Sequence, residues 1–224
     1  MNIKRVETGI PGLDELLHGG IPKGNAVLVS GESGAGKTTF CSQFLWKGVQ
    51  NGERCMFITF EEPVEQIKDE AKLFGWDFSE YDDMITMEGK EPFQEGSEEL
   101  FWFRDKLESK DIDRLAIDST SILSLYHENP YEIRRAIYKM IRVIKEVGVT
   151  AVITAEAPSH GNSLTRHDVV QFVADGVIAL YFEGVGERGY RSLQVRKMRK
   201  SDISTETVSF DITENGIELG QSIV

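Results

Sequence analysis

Apolar positions along this chain gather into short, nearly unbroken runs, separated by longer stretches in which they recur every three or four residues. NAVLVS (Asn25 to Ser30), CMFITF (Cys55 to Phe60), RLAID (Arg114 to Asp118), TAVITAE (Thr150 to Glu156) and GVIALYF (Gly176 to Phe182) are runs of the first kind. Strands covered on both faces have this character. Lys37 to Asn51, Pro63 to Phe74, Ser97 to Lys110 and Tyr131 to Val147 are of the second kind. In the last of them Ile133, Ile137, Met140, Ile141 and Ile144 fall at helical spacing. The alternation predicts an α/β fold, a mainly parallel sheet flanked by helices. From Arg188 the pattern changes: RSLQVRKMRK and TETVSFDITENGIEL alternate as antiparallel strands do, with Asn215 and Gly216 at a turn. No repeat or low-complexity linker interrupts the chain, so residues 1–224 read as one domain.

Composition adds limits. An apolar fraction of 40% with 28% charged residues is that of a soluble protein. No apolar run approaches the roughly 18 residues that cross a bilayer, and MNIKRVETGI lacks the apolar stretch of a secretory signal. Two cysteines, Cys41 and Cys55, suit a reducing cytoplasm. With 25 basic against 37 acidic residues the net charge is −12, which argues against bulk affinity for DNA or RNA. RVRKMRK is the one local basic strip that runs against this total.

GESGAGKTT spans Gly31, Glu32, Ser33, Gly34, Ala35, Gly36, Lys37, Thr38 and Thr39, between a predicted strand and a predicted helix. It fits G-x-x-x-x-G-K-[ST], the phosphate-cradling loop. Its glycines let successive amides turn toward phosphate oxygens, and the helix that follows adds its positive dipole end. Lys37 reaches the β- and γ-phosphates, Thr38 completes a magnesium shell and Thr39 touches the α-phosphate. The Glu32 side chain is expected to point outward. The motif predicts nucleoside triphosphate binding without specifying the base.

Two further positions carry acids at strand ends, where such sheets place ligands. Asp118 closes RLAID and is the expected magnesium carboxylate, with Ser119 beside it. Glu61 and Glu62 close FITFEEP; were that strand beside the cradle strand, they would face the γ-phosphate, and one would act as base toward the attacking water. By spacing alone they serve equally well as acidic residues opening a helix at Pro63.

TGIPGLDELLHGGIPKG ahead of the cradle, then FITFEEP, RLAIDS, TAVITAE, FVADGVIAL and RKMRKSD, together resemble a KaiC-type ATPase of the RecA superfamily, from about Thr8 to the C-terminus. The resemblance implies a RecA-like core, ATP with Mg2+, and Glu61 and Glu62 as the catalytic glutamate pair, Glu61 foremost. It sets Glu156 at a γ-phosphate sensor position. It also implies that Lys197 and Arg199 form a K-x-R finger pair reaching the nucleotide of an adjoining subunit, hence a head-to-tail homo-oligomer, usually a hexameric ring. A strand of solvated basic residues is the plainer reading of that segment. A slow-turnover scaffold that hands on an unidentified protein partner, and a RadA-paralog-like DNA accessory, are the rival functions.

Departures from the family pattern narrow the expectation. Gln171 and Phe172 stand where the clock protein carries its phosphorylated serine and threonine, so autophosphorylation there is not expected; Ser163 and Thr165 carry no motive for it. Lys200 replaces a usual glycine, and Ile203 a histidine near the nucleotide. His160 and His167 lack further ligands for a metal, Arg166 is the one full cation in that loop, and Trp46, Trp76 and Trp102 read as core or subunit-contact residues.

Overall fold

The five apolar runs become the contiguous middle of one nine-stranded sheet. The structure, a computed structural model, describes residues 3–91, 97–127, 129–157, 170–185 and 188–222. Along the chain lie β1 (Arg5–Val6), α1 (Leu13–Leu16), β2 (Ile21–Pro22), β3 (Ala26–Gly31), α2 (Lys37–Gln50), β4 (Cys55–Thr59), α3 (Val64–Lys72), β5 (Ile85–Gly89), α4 (Ser97–Ser109), β6 (Arg114–Asp118), α5 (Leu123–Tyr126), α6 (Pro130–Val147), β7 (Thr150–Glu156), α7 (Val170–Val173), β8 (Gly176–Val185), β9 (Arg188–Met198), β10 (Thr207–Thr213) and β11 (Gly216–Ser222).

The sheet order is β11-β10-β9-β8-β3-β7-β6-β4-β5. From β8 to β5 every neighbour pair is parallel, and β9, β10 and β11 add antiparallel strands at one edge. Successive residues of each central strand feed opposite faces, as the pleat demands. Val27, Val29, Phe57, Ala116 and Val152 join the core under α2 and the C-terminal strands. Ala26, Leu28, Met56, Ile58, Leu115, Ile117, Ala151 and Ile153 join the other, under α4 and α6. Both faces are covered, which is why these runs are apolar throughout rather than alternating.

The sequence pattern misses β5 and the two-residue ribbon β1–β2, whose residues make no apolar run long enough to register. The condition under which the end of β4 would face the γ-phosphate, a place beside the cradle strand, is not met: β7 and β6 stand between β3 and β4. Residues 158–169, which include His160, Ser163, Thr165, Arg166 and His167, lie outside the described residues, as does the side chain of Gln171. Phe172 is exposed, Trp76 is buried, and Trp46 and Trp102 pack against the two cores. No helix among the described residues is long and apolar enough to cross a membrane.

Candidate nucleotide site

The parallel strands end their C-terminal edges together, and there the chain opens a cleft of about 310 Å³. Ser33, Gly34, Gly36, Lys37, Thr38 and Thr39 line one side; Thr59, Glu61, Glu62, Asp118, Ser119 and Glu156 line the other. Gly31 ends β3 and Lys37 opens α2, so the intervening residues form the strand-to-helix loop that the motif requires. Gly36 takes φ +96° at the helix N-cap, and a Cβ there would meet Ile212 Cδ1 at 3.0 Å. Only glycine fits both conditions without strain. Ala35 is buried beneath the loop and its amide donates to the Glu32 carbonyl at 3.2 Å. Glu32 is half-buried and does not line the cleft.

Lys37 Nζ donates to the carbonyls of Gly31 and Glu32, each at 2.9 Å, which folds the ammonium back across the loop. Burial pushes it down from its ordinary value, opposed by the carboxylates of Asp118, Glu156 and Glu61. The Thr38 hydroxyl donates to Asp118 Oδ2 at 2.6 Å. Thr154 Oγ1 donates to the other carboxylate oxygen, Oδ1. Thr154 is a fully buried polar residue inside an apolar run, and that misfit was the readable signal for its orienting role.

Glu61 and Glu62 reach the cleft even though β4 is remote from β3. The Phe60 amide donates to the Asp118 carbonyl at 2.8 Å, curling the chain over the end of β6. Thr59 Oγ1 then donates to the Glu62 carbonyl at 2.8 Å and accepts from the Glu62 amide at 3.1 Å. Ser119 Oγ donates to Glu61 Oε1 at 2.5 Å. Glu62 Oε2 is buried, with no hydrogen-bond partner among the described residues. Burial pushes the Glu62 carboxyl up, and the nearby charges of Glu70, Asp118 and Glu61 add to the shift. The Glu156 amide donates to Ser121 Oγ at 2.7 Å, holding the end of β7 at the cleft.

Among the described residues no group of three or more His, Cys, Asp or Glu side chains is arranged to hold a metal by itself. One hydroxyl and one carboxylate, Thr38 and Asp118, fit an ion held mainly by phosphate oxygens and water, which is the binding mode of Mg2+.

Arg191 had no signal in any motif. Its guanidinium lies 4.5 Å from the Phe182 ring and donates to the Gly34 carbonyl from Nε at 3.2 Å and Nη2 at 3.1 Å, so β8 and β9 brace the loop. Lys197 and Arg199 do not join this cleft. β9 runs antiparallel to β8, with Met198 opposite Gly176 and Gly176 opposite Val27 at the start of β3. The pair therefore sits toward the other end of the sheet, Lys197 about 10 Å and Arg199 about 17 Å along the strand direction from Gly31. There Lys197 Nζ donates to the Ala174 carbonyl at 2.7 Å, and Arg199 Nη1 to Asp175 Oδ1 at 3.2 Å.

Comparison with known proteins bears on the whole chain. The family profile described as "ATPase: KaiC" matches residues 6–223. A UPF0273 protein of Methanopyrus kandleri is 34% identical, the match covering 98% of this chain and 93% of the relative. The circadian clock oscillator protein KaiC of Synechococcus elongatus is 33% identical across 97% of this chain but 44% of its own length, so the chain spans less than half of that protein. The crystal structure of a KaiC-like protein from Pyrococcus horikoshii superposes with a TM-score of 0.88 at 35% identity, covering 98% of this chain and all of that one. A RecA-like phosphate-loop core with these relatives along nearly its full length means that the chain belongs to the KaiC family of ATPases.

Proposed function

We propose that this protein, as a single domain of residues 1–224, hydrolyses ATP at sites shared between subunits of a head-to-tail, ring-like homo-oligomer in the cytoplasm, in a regulatory role. The observation that carries this reading is the split between the two ends of the sheet. The cleft at one end gathers Lys37, Thr38, Asp118, Glu61 and Glu62, while the cationic pair Lys197 and Arg199 stands at the other. That separation along the sheet supports a finger that serves a neighbour's cleft rather than its own. A heterologous contact of that kind gives a ring if its rotation closes and a filament if it does not, and the resemblance to KaiC favours a ring of six subunits.

In this reading the loop from Gly31 to Thr39 binds the phosphates through its backbone, and Lys37 leaves the Gly31 and Glu32 carbonyls to meet the β- and γ-oxygens. Thr38 and Asp118 would hold a magnesium ion, which would neutralise charge on those oxygens. Glu61, turned by the Ser119 hydroxyl, orients the attacking water with Glu62 beside it. Arg199 and Lys197 of the adjoining subunit stabilise the charge of the transferring phosphoryl group.

Phosphate release by purified protein tests the reading. Lys37→Ala and the double variant Glu61→Gln/Glu62→Gln are expected to lose about a hundredfold or more of the activity. Arg199→Ala is expected to fall comparably when alone and to regain activity when mixed with Lys37→Ala subunits, which contribute an intact finger. Equal activity in all variants removes the enzymatic reading. ATP-dependent assembly with negligible phosphate release supports the scaffold instead, and tight single-stranded DNA binding at physiological salt supports the recombination accessory.

A further inference from the structure

The finger pair does not hang free from the end of β9. Arg199 donates its amide to the Asp175 carbonyl at 2.8 Å, and its own carbonyl accepts from Asn25 Nδ2 at 3.2 Å. Asp175 is buried, 2% exposed. Its Oδ1 accepts from Arg199 at 3.2 Å and from Lys145 Nζ of α6 at 2.8 Å, and its Oδ2 from the Ala26 amide at 3.2 Å. The Asp175 amide donates in turn to the Ala26 carbonyl at 2.8 Å. Burial pushes this carboxyl up, but the donors at Lys145, Ala26 and Arg199 more than offset it and hold it below its ordinary value. Arg199 by contrast keeps 52% of its side chain exposed, at a groove of about 370 Å³ that Tyr138, Arg142 and Val173 also line.

Building on the shared-site reading above, we propose that Asn25 and Asp175 are the positioning residues of the finger: they clasp residues 197–199 from both sides and aim Arg199 out of its own subunit. Two features suit them to this task. Asn25 and Ala26 lie at the start of β3, the strand whose far end begins the phosphate loop. The finger offered to one neighbour is thus fixed to the same rigid strand that carries this subunit's own cradle. The second feature is charge. When the Arg199 guanidinium moves to a neighbour's phosphate, Asp175 keeps Lys145 and the Ala26 amide, so no unpaired charge is left buried. Neither residue touches the reacting atoms; both act through Arg199 and Lys197.

The test uses Asp175→Asn, which keeps size while removing the charge, and Asn25→Ala, a smaller change that removes the bond to the Arg199 carbonyl and the weak contact with Met198 Sδ. Each is expected to lower kcat for phosphate release about ten- to hundredfold, because a slightly misplaced group loses that much. KM for ATP is expected to stay within about twofold, since the cradle is untouched. Mixing either variant with Lys37→Ala restores activity, because intact cradles then meet intact fingers; mixing either with Arg199→Ala restores nothing, because both partners lack a working finger. A merely structural defect stays unrepaired in both mixtures. Full kcat in both variants, or loss that Lys37→Ala subunits do not repair, overturns the proposal. If Arg199→Ala is itself not repaired by Lys37→Ala, the shared site fails first and the positioning role falls with it.

Discussion

Glu62 holds one carboxylate oxygen in a buried place where no described group donates to it, and its carboxyl is pushed up by that burial and by acidic neighbours. Ionisation is therefore penalised in the folded chain more than in the unfolded one. The penalty is complete above the raised folded value and vanishes below the ordinary 4.5, where both states are protonated. Glu62→Gln is expected to melt higher than the parent at pH 7, by at most about 1 kcal/mol because water screens part of the group. The difference should close as the pH falls toward 4.5, and thermal melts across that range check it. Lys200 shows a different residue-scale effect. It takes φ +64°, a left-handed conformation that glycine adopts freely and a side-chain-bearing residue adopts at a cost. Ile203 packs against the core.

Between elements, the joints are made by polar side chains that no motif announces. Gln43, in the middle of α2, is buried; its Nε2 donates to the carbonyls of Gly9 at 2.9 Å and Ile217 at 3.1 Å, and its Oε1 accepts from the Ile217 amide at 2.7 Å. One amide thus ties the N-terminal lead-in, α2 and the β10–β11 hairpin together behind the phosphate loop. Gln43→Leu leaves those backbone groups buried and unpaired, so a loss of about 2–4 kcal/mol in denaturant unfolding is expected. Weaker nucleotide binding should accompany it, because Ile212 of the same hairpin lines the cleft. Arg114 plays a similar part: it is 1% exposed, paired with Glu53, and donates to the carbonyls of Glu7 at 2.7 Å and Phe44 at 2.9 Å. In the sequence it reads only as the first residue of a strand.

For the whole molecule, the cleft lies at one end of the sheet and Lys197 and Arg199 lie toward the other. A net charge of −12 makes copies of the chain repel one another over long range. In the proposed assembly, association rests on local contacts and on Arg199 and Lys197 reaching a neighbour's bound phosphate, so nucleotide should strengthen it. Native mass measurement is expected to show larger assemblies with ATP and magnesium than without, and Arg199→Ala should weaken that gain. A particle that stays monomeric while consuming ATP at full rate contradicts the shared site.

By itself the sequence determined whatever depends on local order. The strand-to-helix cradle from Gly31 to Thr39 is contiguous, so its spacing is its geometry. The apolar runs declare a doubly covered sheet because burial on both faces leaves no polar positions. Asp118 and the Glu61–Glu62 pair were legible as acids at strand ends. Only the tertiary structure decided which strands are neighbours, since hydrogen-bonded pairing is non-local and runs of similar composition are interchangeable on paper. It therefore set β7 and β6 between β3 and β4 while still delivering Glu61 over the end of β6. It brought Thr154 onto Asp118, Arg191 onto Gly34, and Asp175 between the cradle strand and Arg199. Those contacts join residues far apart in the chain, and no spacing rule reaches across a fold.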